Sequence, residues 1–321
     1  MANVIIGIHG LGNKPPKKVE EIWWKASIRE GLKKIGKPRR FFNFELGYWA
    51  HCLYKSPLDL SIKDEKDPLY NSEPYVRTRG DKVEEKSSEL RKKILHKIEA
   101  GLEKIFLNDD LTINYTSIND FIIHHFFKDF EKYYKADCMI SPGGDQKAKD
   151  TIDMHLADVL KRNRKNKILL IAHSMGTIIA YHVLTEMVPQ VSIDTFVTIG
   201  SPLGLPVIKN KIYAERRDKG QTEFRLKTPE NVTSKWYNLS DLKDKIAMDY
   251  NLSDDYEENS RHVRVIDKVV NNNYKHNKIA NHHKSYGYLR TPELAEIIND
   301  FLESEKHTLF SWLKKILRLN R

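Results

Sequence analysis

Residues 168–181 read ILLIAHSMGTIIAY, and this stretch decides the fold. The apolar run Ile168–Ile171 predicts a buried strand and Thr177–Ala180 begin an apolar helix, so Ser174 falls on the turn between them. A serine on a sharp strand-to-helix turn has its hydroxyl exposed above the sheet, with the first N–H groups of the helix aimed at whatever it attacks. The backbone passes close to itself at such a turn, and Ala172 and Gly176 supply the small residues this needs, as A-x-S-x-G. The same spacing also suits a serine that merely caps the next helix. The rest of the chain must decide between the two.

Working outward, residues 3–9 (NVIIGIH) predict a buried strand that stops at the loop Gly10-Leu11-Gly12-Asn13. Pro15 and Pro16 then suit the start of a helix over Lys17–Ile35, and residues 41–50 read as a second strand. Residues 51–135 change character: no convincing strand, but two amphipathic helical patterns, one through Leu90, Ile94, Ile98, Leu102 and Ile105, the other phenylalanine-rich from Phe121 to Tyr134. This segment reads as a helical insertion over the sheet. Its second helix is suited either to packing into the core or to facing substrate as a lid.

Beyond it, Ile152, Leu156, Val159 and Leu160 mark a helix that ends in the basic run of residues 162–167. That run reads as a helix C-terminus favoured by the dipole, and not as a nucleic-acid contact. Strands are predicted at residues 195–200, 235–239 and 263–270, and a last helix runs from Pro292 to about Leu302; residues 205–234 give no readable pattern. Strands alternating with helices predict an α/β fold, a mainly parallel sheet covered on both faces. The expected division is a core of residues 1–50 and 136–304, the insertion 51–135, and a tail 305–321.

The composition bounds the function. A chain of 321 residues with 40% hydrophobic content builds a substantial core, and its formal net charge of +10 suits an acidic partner or solvated helix faces. Only Cys52 and Cys138 are present, which predicts no disulfide framework, a reducing compartment and hence a cytoplasmic protein. Neither a signal-peptide pattern nor an apolar run near the roughly 20 residues of a membrane span is found. His276, His282 and His283 lack cysteine or carboxylate partners at ligand spacing, so no metal or other cofactor is expected.

A serine hydroxyl becomes a nucleophile when a histidine takes its proton and a carboxylate orients that histidine. In α/β sheets such groups gather beyond the C-terminal ends of strands. Ser174 follows one predicted strand, Asp241 and Asp244 follow a later one, and His282 and His283 follow the last. With IIGIHGLGN, IAHSMG, TFVTIGSPLG, KWYNLSDLKDKIA and NHHKSYGYL in this order, the chain resembles the α/β-hydrolase superfamily on its lipase and esterase side. The resemblance implies Ser174 as nucleophile, His283 as base through H-K-S-Y, and Asp244 as acid through D-K-I-A. His282 and Asp241 remain the alternatives. It also implies an oxyanion hole made by the backbone N–H groups of Leu11 and Met175. His9 and His173 read as packed histidines that hold their loops, and Asp267 as structural.

The expected activity is therefore hydrolysis of a carboxylic ester, of a lipid or another acyl compound. A thioesterase or acyltransferase would use the same triad, and a catalytically silent membrane-surface scaffold would keep only the fold. Residues 305–321 read as a basic amphipathic helix, suited to an anionic membrane interface or to docking on the protein's own core or a second subunit.

Overall fold

Six of the apolar runs align side by side as one parallel sheet. In the computed structural model, which describes residues 2–78, 106–107, 113–114, 121–139, 146–220 and 225–304, these are β1 (Asn3–Ile8), β2 (Asn43–Gly47), β3 (Lys167–His173), β4 (Ile193–Ile199), β5 (Val232–Ser240) and β6 (Val265–Val269). Their spatial order is β2-β1-β3-β4-β5-β6, and every neighbouring pair is parallel. Alternate side chains enter opposite layers. Ile6, Ile8, Leu170 and Phe196 join one core, while Ile5, Leu169, Ile171 and Val197 join the other. A strand buried on both faces has to be apolar throughout, which is why β3 reads as an unbroken run.

The covering helices are α1 (Lys17–Lys34), α2 (Phe121–Lys135), α3 (Ala148–Arg162), α4 (Met175–His182), α5 (Pro206–Asp218) and α6 over residues 292–304. Helices α1 and α6 cover one face and α3 and α4 the other. From β1 the chain goes outward to β2 and then returns to β3 on the other side of β1. The loops leaving β1 and β3 therefore part at the C-terminal edge of the sheet and open a crevice there, the usual ligand position in such sheets.

Three features depart from the sequence reading. Residues 206–218, where no pattern was legible, form α5. Its apolar residues Val207, Ile208, Ile212 and Ala214 are buried, but they alternate irregularly with charged residues, and its start rests on Pro206 at the first helical turn. The pairs Phe106–Leu107 and Ile113–Asn114 form a short antiparallel ladder inside the segment that showed no strand. Finally, Cys52 and Cys138 are joined in a disulfide across a sequence separation of 86. A lone pair so far apart has no spacing signature, so the expectation of no disulfide is corrected. With both cysteines paired, cysteine usage no longer points to a reducing, cytoplasmic setting.

From the insertion, α2 buries Phe126, Phe127, Phe130 and Tyr133 in the core shared with α3, and the Tyr133 hydroxyl donates to Asp153 Oδ1 at 2.7 Å. Residues 71–78 cross the histidine loop as a strap. There the Tyr274 hydroxyl donates to the Pro74 carbonyl at 2.7 Å, and Arg290 Nη1 to the Val76 carbonyl at 2.7 Å. The amphipathic pattern at Leu90–Ile105 and the basic tail 305–321 lie outside the described residues. Among the described residues no helix is long and apolar enough to cross a membrane.

Candidate active site

Ser174 sits between β3 and α4 with φ 55° and ψ −126°, a conformation that L-residues rarely adopt. Such strain costs about 1–3 kcal/mol and persists only where the surroundings over-determine it. Here they do. The Ser174 N–H donates to the Ile199 carbonyl at 3.1 Å, and its carbonyl accepts the Thr177 hydroxyl at 2.7 Å. A Cβ on Gly176 would stand 2.8 Å from the carbonyl oxygens of both Ile8 and His9, closer than real Cβ contacts, so only glycine lets α4 start this near β1.

His283, in the loop after β6, brings its Nε2 to 2.8 Å from Ser174 Oγ, while its Nδ1 lies 2.9 Å from both carboxylate oxygens of Asp244. The ring thus donates from Nδ1 to Asp244 and accepts the serine proton at Nε2. Asp244, in the loop after β5, is buried, and it also accepts the Tyr288 hydroxyl at 2.7 Å and the Ile246 N–H at 2.8 Å. Burial opposes its ionisation, but the His283 ring and these donors outweigh it and hold the carboxyl below its usual range. Gly200, directly after β4 and at φ 56°, leaves the room this needs, since a Cβ there would lie 3.0 Å from Asp244 Oδ2 and 3.3 Å from His283 Nδ1.

The alternative residues form a pair of their own. His282 Nδ1 lies 3.3 Å from Asp241 Oδ2 and 3.1 Å from the Asn272 carbonyl. Asp241 in turn accepts the Lys243 N–H at 2.8 Å and the Asn272 N–H at 2.6 Å. This pair fastens the loop after β5 to the loop after β6 beside the serine site.

His9 and His173 hold loops, as read from the sequence. His9 Nε2 accepts the Trp49 N–H at 3.0 Å, which leaves Nδ1 to donate to the Gly10 carbonyl at 2.8 Å. His173 Nε2 donates to the His283 carbonyl at 2.7 Å. Burial pushes both rings well below the ordinary histidine range, so both are neutral at pH 7. Asp267 accepts the Leu252 N–H at 3.0 Å and the Ser253 N–H at 2.9 Å, a cap on a short turn.

Ser174 opens onto a cavity of about 210 Å³. Leu11 and Lys14 line it from the loop after β1, Glu73 from the strap, and Phe126 and Asp129 from α2. The backbone N–H groups of Leu11 and Met175 have no hydrogen-bond partner among the described residues. No three metal-ligating side chains converge among the described residues. Sequence reasoning missed Gly200, Tyr288 and the lysine and carboxylates of the cavity. Tyr288 had a signal in the aromatic residues closing NHHKSYGYL; Lys14 had none, because a lysine after a loop ordinarily faces water.

Residues 147–284 match the family described as PGAP1-like alpha/beta domain. The matched span runs from the start of α3 past His283, so it takes in Ser174 and Asp244, and it stops short of the loop after β1. No curated protein matches the chain. The parallel six-stranded sheet and its flanking helices, with this match over residues 147–284, are those of an α/β-hydrolase fold.

Proposed function

We propose that this α/β-hydrolase-fold protein is a serine hydrolase that cleaves a carboxylic ester, of a lipid or another acyl compound, through an acyl-enzyme on Ser174. The observation that carries the reading is the continuous line from Asp244 through His283 Nδ1 and Nε2 to Ser174 Oγ, with contacts of 2.9 and 2.8 Å. His283 takes the serine proton as Oγ adds to the ester carbonyl. The tetrahedral oxyanion is held by the N–H groups of Leu11 and Met175, and His283 returns its proton to the departing alkoxide. Water, activated by the same histidine, then frees the acid and restores Ser174. A thiol ester or another acceptor alcohol would enter the same sequence, because chemistry up to the acyl-enzyme is shared.

A panel of p-nitrophenyl esters of graded acyl length, assayed on the purified protein, tests this. Turnover is expected for at least one member and loss of about a thousandfold or more in Ser174→Ala; turnover that survives the substitution contradicts the reading. Residues 305–321 are proposed to bring the protein to an anionic membrane surface, where an acyl lipid would be met. Sedimentation with anionic liposomes, with and without those residues, checks this: equal binding by the two, or none by the full chain, removes it.

A further inference from the structure

The loop after β1 is supported in an uncommon way. Three successive carbonyls are taken up by side chains: that of Gly10 by His9 Nδ1 at 2.8 Å, those of Leu11 and Gly12 by the Lys14 ammonium, the second at 2.9 Å. Across a trans peptide, a carbonyl and the N–H of the following residue point in opposite directions. Each carbonyl so held therefore turns the N–H of the following residue, Leu11, Gly12 or Asn13, away from its own donor. His9 fixes the peptide before Leu11 and Lys14 the two peptides after it, so both planes flanking Leu11 are pinned. Lys14 is itself fixed, since its N–H donates to Asn13 Oδ1 at 2.8 Å and its carbonyl accepts the Leu58 N–H at 2.9 Å.

Among the described residues the Lys14 ammonium forms no ion pair. Its hydrogen bonds go to main-chain oxygens, and charge-assisted bonds of this kind are about twice as strong as neutral ones. Without them the Leu11–Gly12 peptide, with glycine on one side, loses the only side-chain donor that its carbonyl has among the described residues. With the peptide free to rotate, its carbonyl can swing into the cavity that Leu11, Gly12, Lys14 and Ser174 line. A carbonyl oxygen there would repel a developing oxyanion.

We propose that Lys14 is a positioning residue for the hydrolysis put forward above: its ammonium locks the loop after β1 so that the Leu11 N–H faces the carbonyl oxygen of the ester. The inference rests on Ser174 being the nucleophile, and it adds a residue that never touches the reacting atoms.

The charge of Lys14 is itself poised. Burial, then the neighbouring Lys284, lowers its pKa to about 8, against the pull of Glu20 on α1, Asp129 on α2 and Glu73 on the strap. The nearby His9 and His173 rings are neutral and do not titrate there. Above pH 8 the ammonium becomes an amine, and its bonds to the loop weaken.

The test follows kcat and KM for an ester that the unmutated protein turns over in a Ser174-dependent way. Lys14→Met is expected to lower kcat at pH 7 about a hundredfold with KM within about threefold, the loss typical of one oxyanion donor. In the unmutated protein kcat should fall with a midpoint near pH 8, and in Lys14→Met that fall should be absent. Unchanged kcat in the variant overturns the proposal, and so does a loss confined to KM. Should Lys14→Met not fold, Lys14→Gln, which keeps a donor without the charge, takes its place: kcat lowered at least about tenfold with KM within about threefold supports the proposal, and unchanged kcat overturns it. Activity that persists in Ser174→Ala would sink both this inference and the serine mechanism, whereas Ser174-dependent activity indifferent to Lys14 sinks this one only.

Discussion

Two Asp–His pairs stand on the same two loops, and only one of them reaches the serine. Asp244 and His283 meet at 2.9 Å, and the far side of the His283 ring lies 2.8 Å from Ser174 Oγ. Asp241 and His282 meet at 3.3 Å, but Asp241 is occupied by the N–H groups of Lys243 and Asn272, and His282 Nδ1 also faces the Asn272 carbonyl. The residue types are identical. What separates the pairs is where the backbone sends each side chain: Asn281 Oδ1 accepts the His283 N–H at 2.9 Å and His173 holds its carbonyl at 2.7 Å, so His283 is presented to the crevice. One pair is therefore suited to chemistry and its neighbour to joining two loops.

That contrast is open to direct attack. The largest effect is expected from His283→Ala, which should lower kcat by about a thousandfold or more, measured on the best ester of the panel. Asp244→Asn follows at about a hundredfold to ten-thousandfold, because the amide no longer favours the ring tautomer that donates from Nδ1. Tyr288→Phe removes the hydroxyl that donates to Asp244 and accepts the Asp241 N–H, and steady-state assays should show a loss of about tenfold to 150-fold, the worth of one hydrogen bond to a charged group.

The other pair should answer in stability. Asp241→Ala leaves the buried Asn272 N–H unpaired and is expected to cost about 1–3 kcal/mol in chemical denaturation, with kcat changed less than about tenfold. His282→Ala should be the mildest, with kcat within about threefold. A His282→Ala variant as inactive as His283→Ala would erase the distinction between the pairs.

The same comparison marks how far the sequence could be read. Ser174 was legible because several independent requirements coincide there: an apolar strand, small neighbours and an apolar helix. The strands and most helices were legible because burial on two faces or on one leaves an unbroken or a periodic apolar pattern. The choice between Asp244 and Asp241, or His283 and His282, was not contained in the residues themselves. It came from the resemblance, and physically it depends on loop hydrogen bonds that no periodicity encodes. Helix α5 escaped because its apolar residues are few among charges, and the Cys52–Cys138 disulfide because two distant cysteines carry no spacing. Lys14 escaped for a third reason: its role depends on three-dimensional burial, which a lysine in a glycine-rich loop does not announce.

The most direct test of the central claim is to locate a fluorophosphonate adduct by mass spectrometry in the unmutated protein, His282→Ala and His283→Ala. The adduct is expected on Ser174, formed at similar rates in the unmutated protein and His282→Ala and at least about a hundredfold more slowly in His283→Ala. An adduct on another residue, or equal rates in the two histidine variants, would contradict it.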